Sequence, residues 1–205
     1  MTDAVRDAIR VSWVCVTWSL VIGAVSVGVA LSAGSLSLGG LGASILVDVV
    51  SSAVLIWRFR RQRSGGEFPE EAERRAQVVA AAGLLVIGLA LAVAAIQHLV
   101  AGSHPSVPAA ALALAGANLI VLPLLARWKY SVARAVGSLA LRTDAHITMV
   151  GTGTAALTLV GLGLDRAFGW WWADAVAALV IAAVAADQGR RSMLAVRPRP
   201  DGAAA

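Results

Sequence analysis

The chain has 205 residues, of which 59% are hydrophobic and 14% charged, and its mean hydropathy is +0.78. A soluble domain carries about 25% charged residues, so a water-soluble domain is excluded, and the length admits a bundle of several spans of about 20 residues each. The net charge of +5 and pI of about 10.9 would suit nucleic acid in another setting. Here the cationic residues flank apolar runs beside Trp57 and Trp128, which reads as interfacial anchoring against anionic lipid headgroups and not as nucleic-acid binding.

Six spans are expected, at roughly 11–33, 36–57, 77–100, 108–127, 138–164 and 170–187. The first is longer than a signal-peptide core, and Asp3 and Asp7 spoil a basic leader, so it is read as an uncleaved span. It holds Cys15, the only cysteine, which excludes intrachain disulfides and cysteine-based metal clusters. Span two carries Asp48 at its centre. An ionised carboxylate at that depth costs about 2.5–3.5 kcal/mol even on the lenient insertion scale. A cation, a proton or a buried partner must offset that cost, so Asp48 is the first candidate functional residue and cation transport the first hypothesis.

A charged loop, RQRSGGEFPEEAE, runs from Arg61 to Glu73, and Pro69 with Glu70, Glu71 and Glu73 reads as the start of span three. His98 and His104 read as polar boundary residues at the outer end of that span. Asn118 in span four reads as an interhelical hydrogen bond. Span five carries Arg142, Asp144 and His146 in its first half. At the start of span six, Trp170, Trp171 and Trp172 read as an interfacial belt, and Asp174 as a hydrogen-bonding residue near the helix N-terminus. Asp187 with Arg190 and Arg191 reads as a solvated helix end. Many of the 20 glycines fall inside spans, where small residues let membrane helices approach closely.

All but one of the 17 Lys and Arg residues, Arg166 being the exception, fall on one side of this six-span threading. The positive-inside rule then places both termini in the cytoplasm. The expected fold is an all-α integral membrane protein: a six-helix transmembrane domain over 1–189, then a short disordered cytoplasmic tail over 190–205. The localisation expected is a cell membrane, crossed several times. An enzyme is not expected. No HExxH, GxSxG or nucleotide-binding glycine motif is present, and Asp144 and His146, two residues apart, lie about 200° apart around a helix.

The stretch SLSLGGLGASILVDVVSSAVLIWRFR, Ser35 to Arg60, resembles the second membrane helix of the cation diffusion facilitator (cation efflux) family. The nearer likeness is to a bacterial branch whose second helix reads approximately S-x-A-L-x-x-F-G-x-D-S-x-I-E-x-x-S-A-x-x-x-x-W-R. LLARWKYSVARAVGSLALRTDA resembles that branch's connection from the fourth to the fifth helix. LALRTDAHITMV and FGWWWADAVAALVI resemble its fifth and sixth helices, the GWWWAD run being the most specific match. The likeness covers most of the chain from Ser35 to Gly189. It implies a six-helix bundle in a bacterial plasma membrane. It also implies export of a divalent cation such as zinc or cobalt in exchange for protons, with no resident cofactor. Many relatives carry a cytoplasmic metal-sensing domain after the sixth helix. The 16 or so residues after Gly189 are too few for one, so a homodimer would have to form through the membrane helices.

The resemblance implies a site of two residues one turn apart on the second helix and two on the fifth. Four ligands of imidazole and carboxylate type suit zinc-like ions, and residues four apart share a helix face. In this chain the second-helix pair falls on Ser44 and Asp48. Asp144 matches the aspartate that opens the fifth-helix motif, and the two positions that follow it fall on Ile147 and Gly151, which carry no liganding side chain. His146 and Thr148 flank Ile147, and Ile22 stands where the branch's first helix commonly has an acid. The candidate metal residues are therefore Asp48, Ser44, His146 and Asp144. Three readings follow: a modified cation site, a homologue that has lost transport and serves as a membrane partner, or a carrier of another solute or of protons alone.

Overall fold

In lipid every backbone N–H and C=O must be bonded within its own segment, so a chain of this hydropathy crosses as helices. The computed structural model describes residues 2–63, 70–102 and 107–196. It contains α1 (Thr2–Ala33), α2 (Leu36–Arg63), α3 (Glu70–Ala101), α4 (Ala109–Val136), α5 (Leu139–Phe168) and α6 (Trp172–Val196). All six are long and apolar enough to cross a bilayer. Each expected span falls on one helix and matches it at one end to within about two residues, while the helix runs further at the other end. His104 and residues 64–69 of the charged loop, Pro69 among them, lie outside the described residues. The expected tail begins as helix, since α6 continues to Val196, and 197–205 lie outside the described residues. Helix α5 is unbroken despite Arg142, Asp144 and His146.

Tight turns join the helices. Gly137 ends α4 and Gly169 ends α5, each in the left-handed region at φ 64° and 68°. A side chain at that backbone conformation is strained, which is why glycine is favoured after a helix. Ser138 then starts α5, its hydroxyl accepting the Leu141 N–H at 3.3 Å.

The most extensive packing pairs α1 with α2, α3 with α6 and α4 with α5, and α2 also touches α3, α5 and α6. Helix α2 is thus central. The α3–α6 contact is a small-residue seam. A Cβ added to Gly88 would lie 2.9 Å from the Ala182 carbonyl oxygen, and one on Gly189 would lie 2.9 Å from that of Ala81. Backbones this close leave no room for a side chain, and van der Waals packing holds the pair.

Six crossings put the start of α1 and the end of α6 at one end, together with the end of α2, the start of α3 and the α4–α5 turn; this is the basic end. At the opposite end Arg166 donates to the Val107 carbonyl at 2.8 Å, and Trp170 stacks on Trp172 at 5.4 Å. Asp174, only 1% exposed, does more there than polarise its own helix start. Its carboxylate accepts from the Ser35 hydroxyl at 3.0 Å and the Leu36 N–H at 2.8 Å, and the Ser37 hydroxyl makes a third, shorter contact. These bonds clasp the start of α2 to the start of α6. Thr158 Oγ1 adds a bond from α5 to the Ser37 carbonyl at 3.3 Å. Replacing Asp174 with alanine strands these donors in a buried position, at a cost of about 3–5 kcal/mol. Asp174→Ala should unfold in detergent at a clearly lower temperature than the wild type. An unchanged midpoint would remove the clasp from the account of stability.

Candidate cation site

Residues four apart on a helix share a face, so α2 presents Ser44, Asp48 and Ser52 together towards its neighbours. Asp48 is half-buried and lies where two spaces meet. The larger is a cleft of about 610 Å³ between α2, α3, α5 and α6. Arg58, Gln77, Gly137 and Ser192 mark its mouth at the basic end, and Asp48 and Asp144 lie on its inner wall. The smaller is a chamber of about 20 Å³, lined by Ser44, Asp48, Ile147, Gly151, Thr154 and Gln188 among others. That volume holds about one water molecule or a bare ion.

The chamber gathers Ser44 and Asp48 from α2 and Ile147 and Gly151 from α5, the four positions that the sequence pattern singles out. One of the four side chains is ionisable. Ser44 Oγ bonds back to its own helix, donating to the Gly40 or Leu41 carbonyl, each at 2.9 Å. Among the described residues no group of three or more His, Cys, Asp or Glu side chains is placed to hold a metal ion.

Asp144 belongs to a different arrangement. Lys129 of α4 is 1% exposed, and its ammonium lies 2.6 Å from Asp144 Oδ2. It also donates to Thr148 Oγ1 at 2.9 Å and Ser52 Oγ at 3.4 Å. Thr148 can accept because its own hydroxyl proton goes to the Asp144 carbonyl at 3.0 Å. Ser52 in turn donates to Asp144 Oδ2 at 3.5 Å. Three acceptors thus surround the three ammonium protons. Asp144 Oδ1 is buried without a hydrogen-bond partner. Opening such a buried pair by deleting one member typically costs about 3–5 kcal/mol.

The hairpin explains the pairing. Lys129 lies eight residues before Gly137 and Asp144 seven after it, so both stand about 11–12 Å from the turn at 1.5 Å per residue. Lys129 is one of the cationic residues placed above on the basic side, between the expected spans four and five. That assignment is corrected: α4 runs two turns beyond the apolar run, and Lys129 faces the bundle interior while Arg127 and Trp128 are exposed. The spacing about Gly137 was the signal that could have found it.

His146 is not brought to Asp48. Two residues on from Asp144, it lies on the exposed face of α5, where Nδ1 is 3.4 Å from the Tyr130 hydroxyl. The continuous helix around Gly151 and Gly153 provides no rotation or unwinding that would turn it inward. Asn118 makes an interhelical bond, accepting from Trp18 Nε1 at 3.3 Å. Gln188, which lines the chamber, escaped the sequence reading because it sits beside Asp187, Arg190 and Arg191. Both arginines pair with Asp187, at 3.2 Å and 2.6 Å, while Gln188 beside it reaches the chamber.

Six apolar helices around a cleft that carries Asp48 and Asp144 describe a multi-pass membrane protein, and its class, a membrane cation transporter, follows from its family. The cation efflux transmembrane domain matches residues 12–195, and the chain belongs to that family. A search of curated proteins gives no significant match.

Proposed function

We propose that this protein is a cation efflux carrier that binds its cargo at Asp48 and exchanges it for protons. The observation that carries the reading is the position of Asp48 at the junction of the cleft and the chamber. A carboxylate there can exchange water, a cation or a proton with one side of the membrane while the far end is clasped through Asp174. The cargo class that the family implies is a divalent ion such as zinc or cobalt. One carboxylate with neutral oxygens from Ser44, Thr154 and Gln188 would hold such an ion weakly. Protons would replace the cation on the same carboxylate, which couples the two fluxes.

On this reading the chain is a carrier and not an enzyme. Its basic end, with Arg60 over Trp13 at 5.5 Å and Arg61 over Trp57 at 5.6 Å, faces the cytoplasm and its anionic lipids. The membrane is a bacterial plasma membrane, and a homodimer would meet through the lipid-facing helices. The test is flux of cobalt, zinc and protons in proteoliposomes under an imposed pH gradient. Metal movement that dissipates the gradient is expected. Reconstituted, folded protein that moves neither metal nor protons would favour the alternative of a homologue that has lost transport.

A further inference from the structure

Lys129 carries a feature that the binding of a cation at Asp48 does not explain. A fully buried ammonium is paired with Asp144, one of the two carboxylates that line the cleft. It is held by α5 through Asp144 and Thr148 and by α2 through Ser52. Asp48 and Asp144 both line the cleft, and Lys129 pairs directly with Asp144. With both carboxylates ionised and the ammonium in place, the three groups sum to one negative charge. A singly charged cation at Asp48 brings that total to zero. A divalent ion leaves an excess positive charge in a poorly screened interior, where each unit of charge interacts several times more strongly than in water.

We infer that Lys129 is a specificity-determining residue of the cation path: a tethered cation that occupies Asp144 and biases the site towards singly charged cargo, protons included, and against divalent ions. The inference rests on the reading of Asp48 as the point of cation binding and narrows its cargo. Geometry supports it in two ways. The ammonium occupies one oxygen of Asp144, the carboxylate that shares the cleft wall with Asp48 among the described residues and could serve a divalent ion as a second anionic ligand. The other oxygen, Oδ1, is buried and without a hydrogen-bond partner, so an acceptor stands ready once the ammonium is gone.

The test uses the purified full-length chain at fixed pH and ionic strength, titrated with cobalt(II) and separately with thallium(I) as the singly charged probe. Lys129→Met removes the fixed charge. Lys129→Gln removes it while keeping a donor for Asp144 and Thr148, and so serves where the methionine variant does not fold. Either neutral variant should bind cobalt at least about tenfold more tightly than the wild type. The gain for thallium should be about the square root of that for cobalt, because a charge change acts in proportion to the charge of the ion. Adding Asp144→Asn to the neutral variant should cancel the gain. A cobalt gain below about threefold, or equal gains for the two ions, overturns the inference, because a strut that only holds helices together has no reason to sort ions by charge. Asp48→Asn keeps this failure separate from failure of the functional reading. If Asp48→Asn leaves cobalt and thallium binding unchanged, the reading of Asp48 falls. If Asp48→Asn abolishes binding and the Lys129 variants match the wild type, only the role of Lys129 falls.

Discussion

Asp48→Asn should lower cation flux in proteoliposomes about a hundredfold, which corresponds to about 2.8 kcal/mol. The substitution is close to isosteric and keeps a side-chain oxygen at the meeting point of the cleft and the chamber. It removes the only ionisable side chain among the described residues that line the chamber and, with it, both the attraction for a cation and the group that would take up a proton. The pair between Lys129 and Asp144 is untouched, so the fold should survive. Thermal unfolding measured beside flux separates lost transport from lost structure. Flux within about threefold of the wild type, in a variant with an unchanged unfolding midpoint, would move the binding point away from Asp48.

Rebuilding the chamber should produce a comparable effect in the opposite direction. Ser44→Asp combined with Gly151→Asp places two further carboxylates on the chamber wall, one on α2 and one on α5. Space permits the second, because a Cβ on Gly151 would lie 3.4 Å from Leu122 Cδ1 and the leucine tip can yield. Three carboxylates and Gln188 around a space of about 20 Å³ approach the four-ligand set that zinc-like ions favour. Affinity for cobalt or zinc should rise about a hundredfold or more, roughly tenfold for each added acid. Without metal the acids repel one another, and protons compete with the ion for them. The gain should therefore shrink as pH falls and grow as pH rises and the carboxylates ionise. Calorimetric titration at a series of pH values checks both points. Unchanged or lower affinity, or a gain that shrinks as pH rises, would show that the chamber is not the place of binding.

The bundle was readable from the sequence because apolar length and alternating loop charge are local signals. Each of the six apolar runs falls on one helix and shares one end with it. The ends were less readable, since a membrane helix continues past its apolar run whenever its backbone bonds are satisfied: α4 extends to Val136 and α6 to Val196. That extension hid Lys129. Between Arg127, Trp128 and Tyr130 it reads as one more interfacial cation, and only the return of α5 beside α4 shows that it turns inward. Asp48 stood out because a lone acid in an apolar run needs no tertiary knowledge to be conspicuous. Its surroundings did require it: the chamber joins α2 and α5 with residues of α3 and α6, and no periodicity within one helix records that meeting. His146 illustrates the converse. Chemical suitability and nearness in sequence suggested a ligand, but the pitch of the helix set it on the opposite face.

The clasp at Asp174 also bears on how the bundle assembles. Its partners lie 137 to 139 positions earlier in the chain, so they enter the bilayer long before it does. Until α6 arrives, the first N–H of α2 and two serine hydroxyls stand at a helix start with nothing to receive them, and helices α3 to α5 must insert around that unfinished end. A contact of such long sequence separation forms late, because the chain between its partners must be ordered first. The bonds that hold the far end together are thus among the last to close during biogenesis, and the sixth helix seats the second.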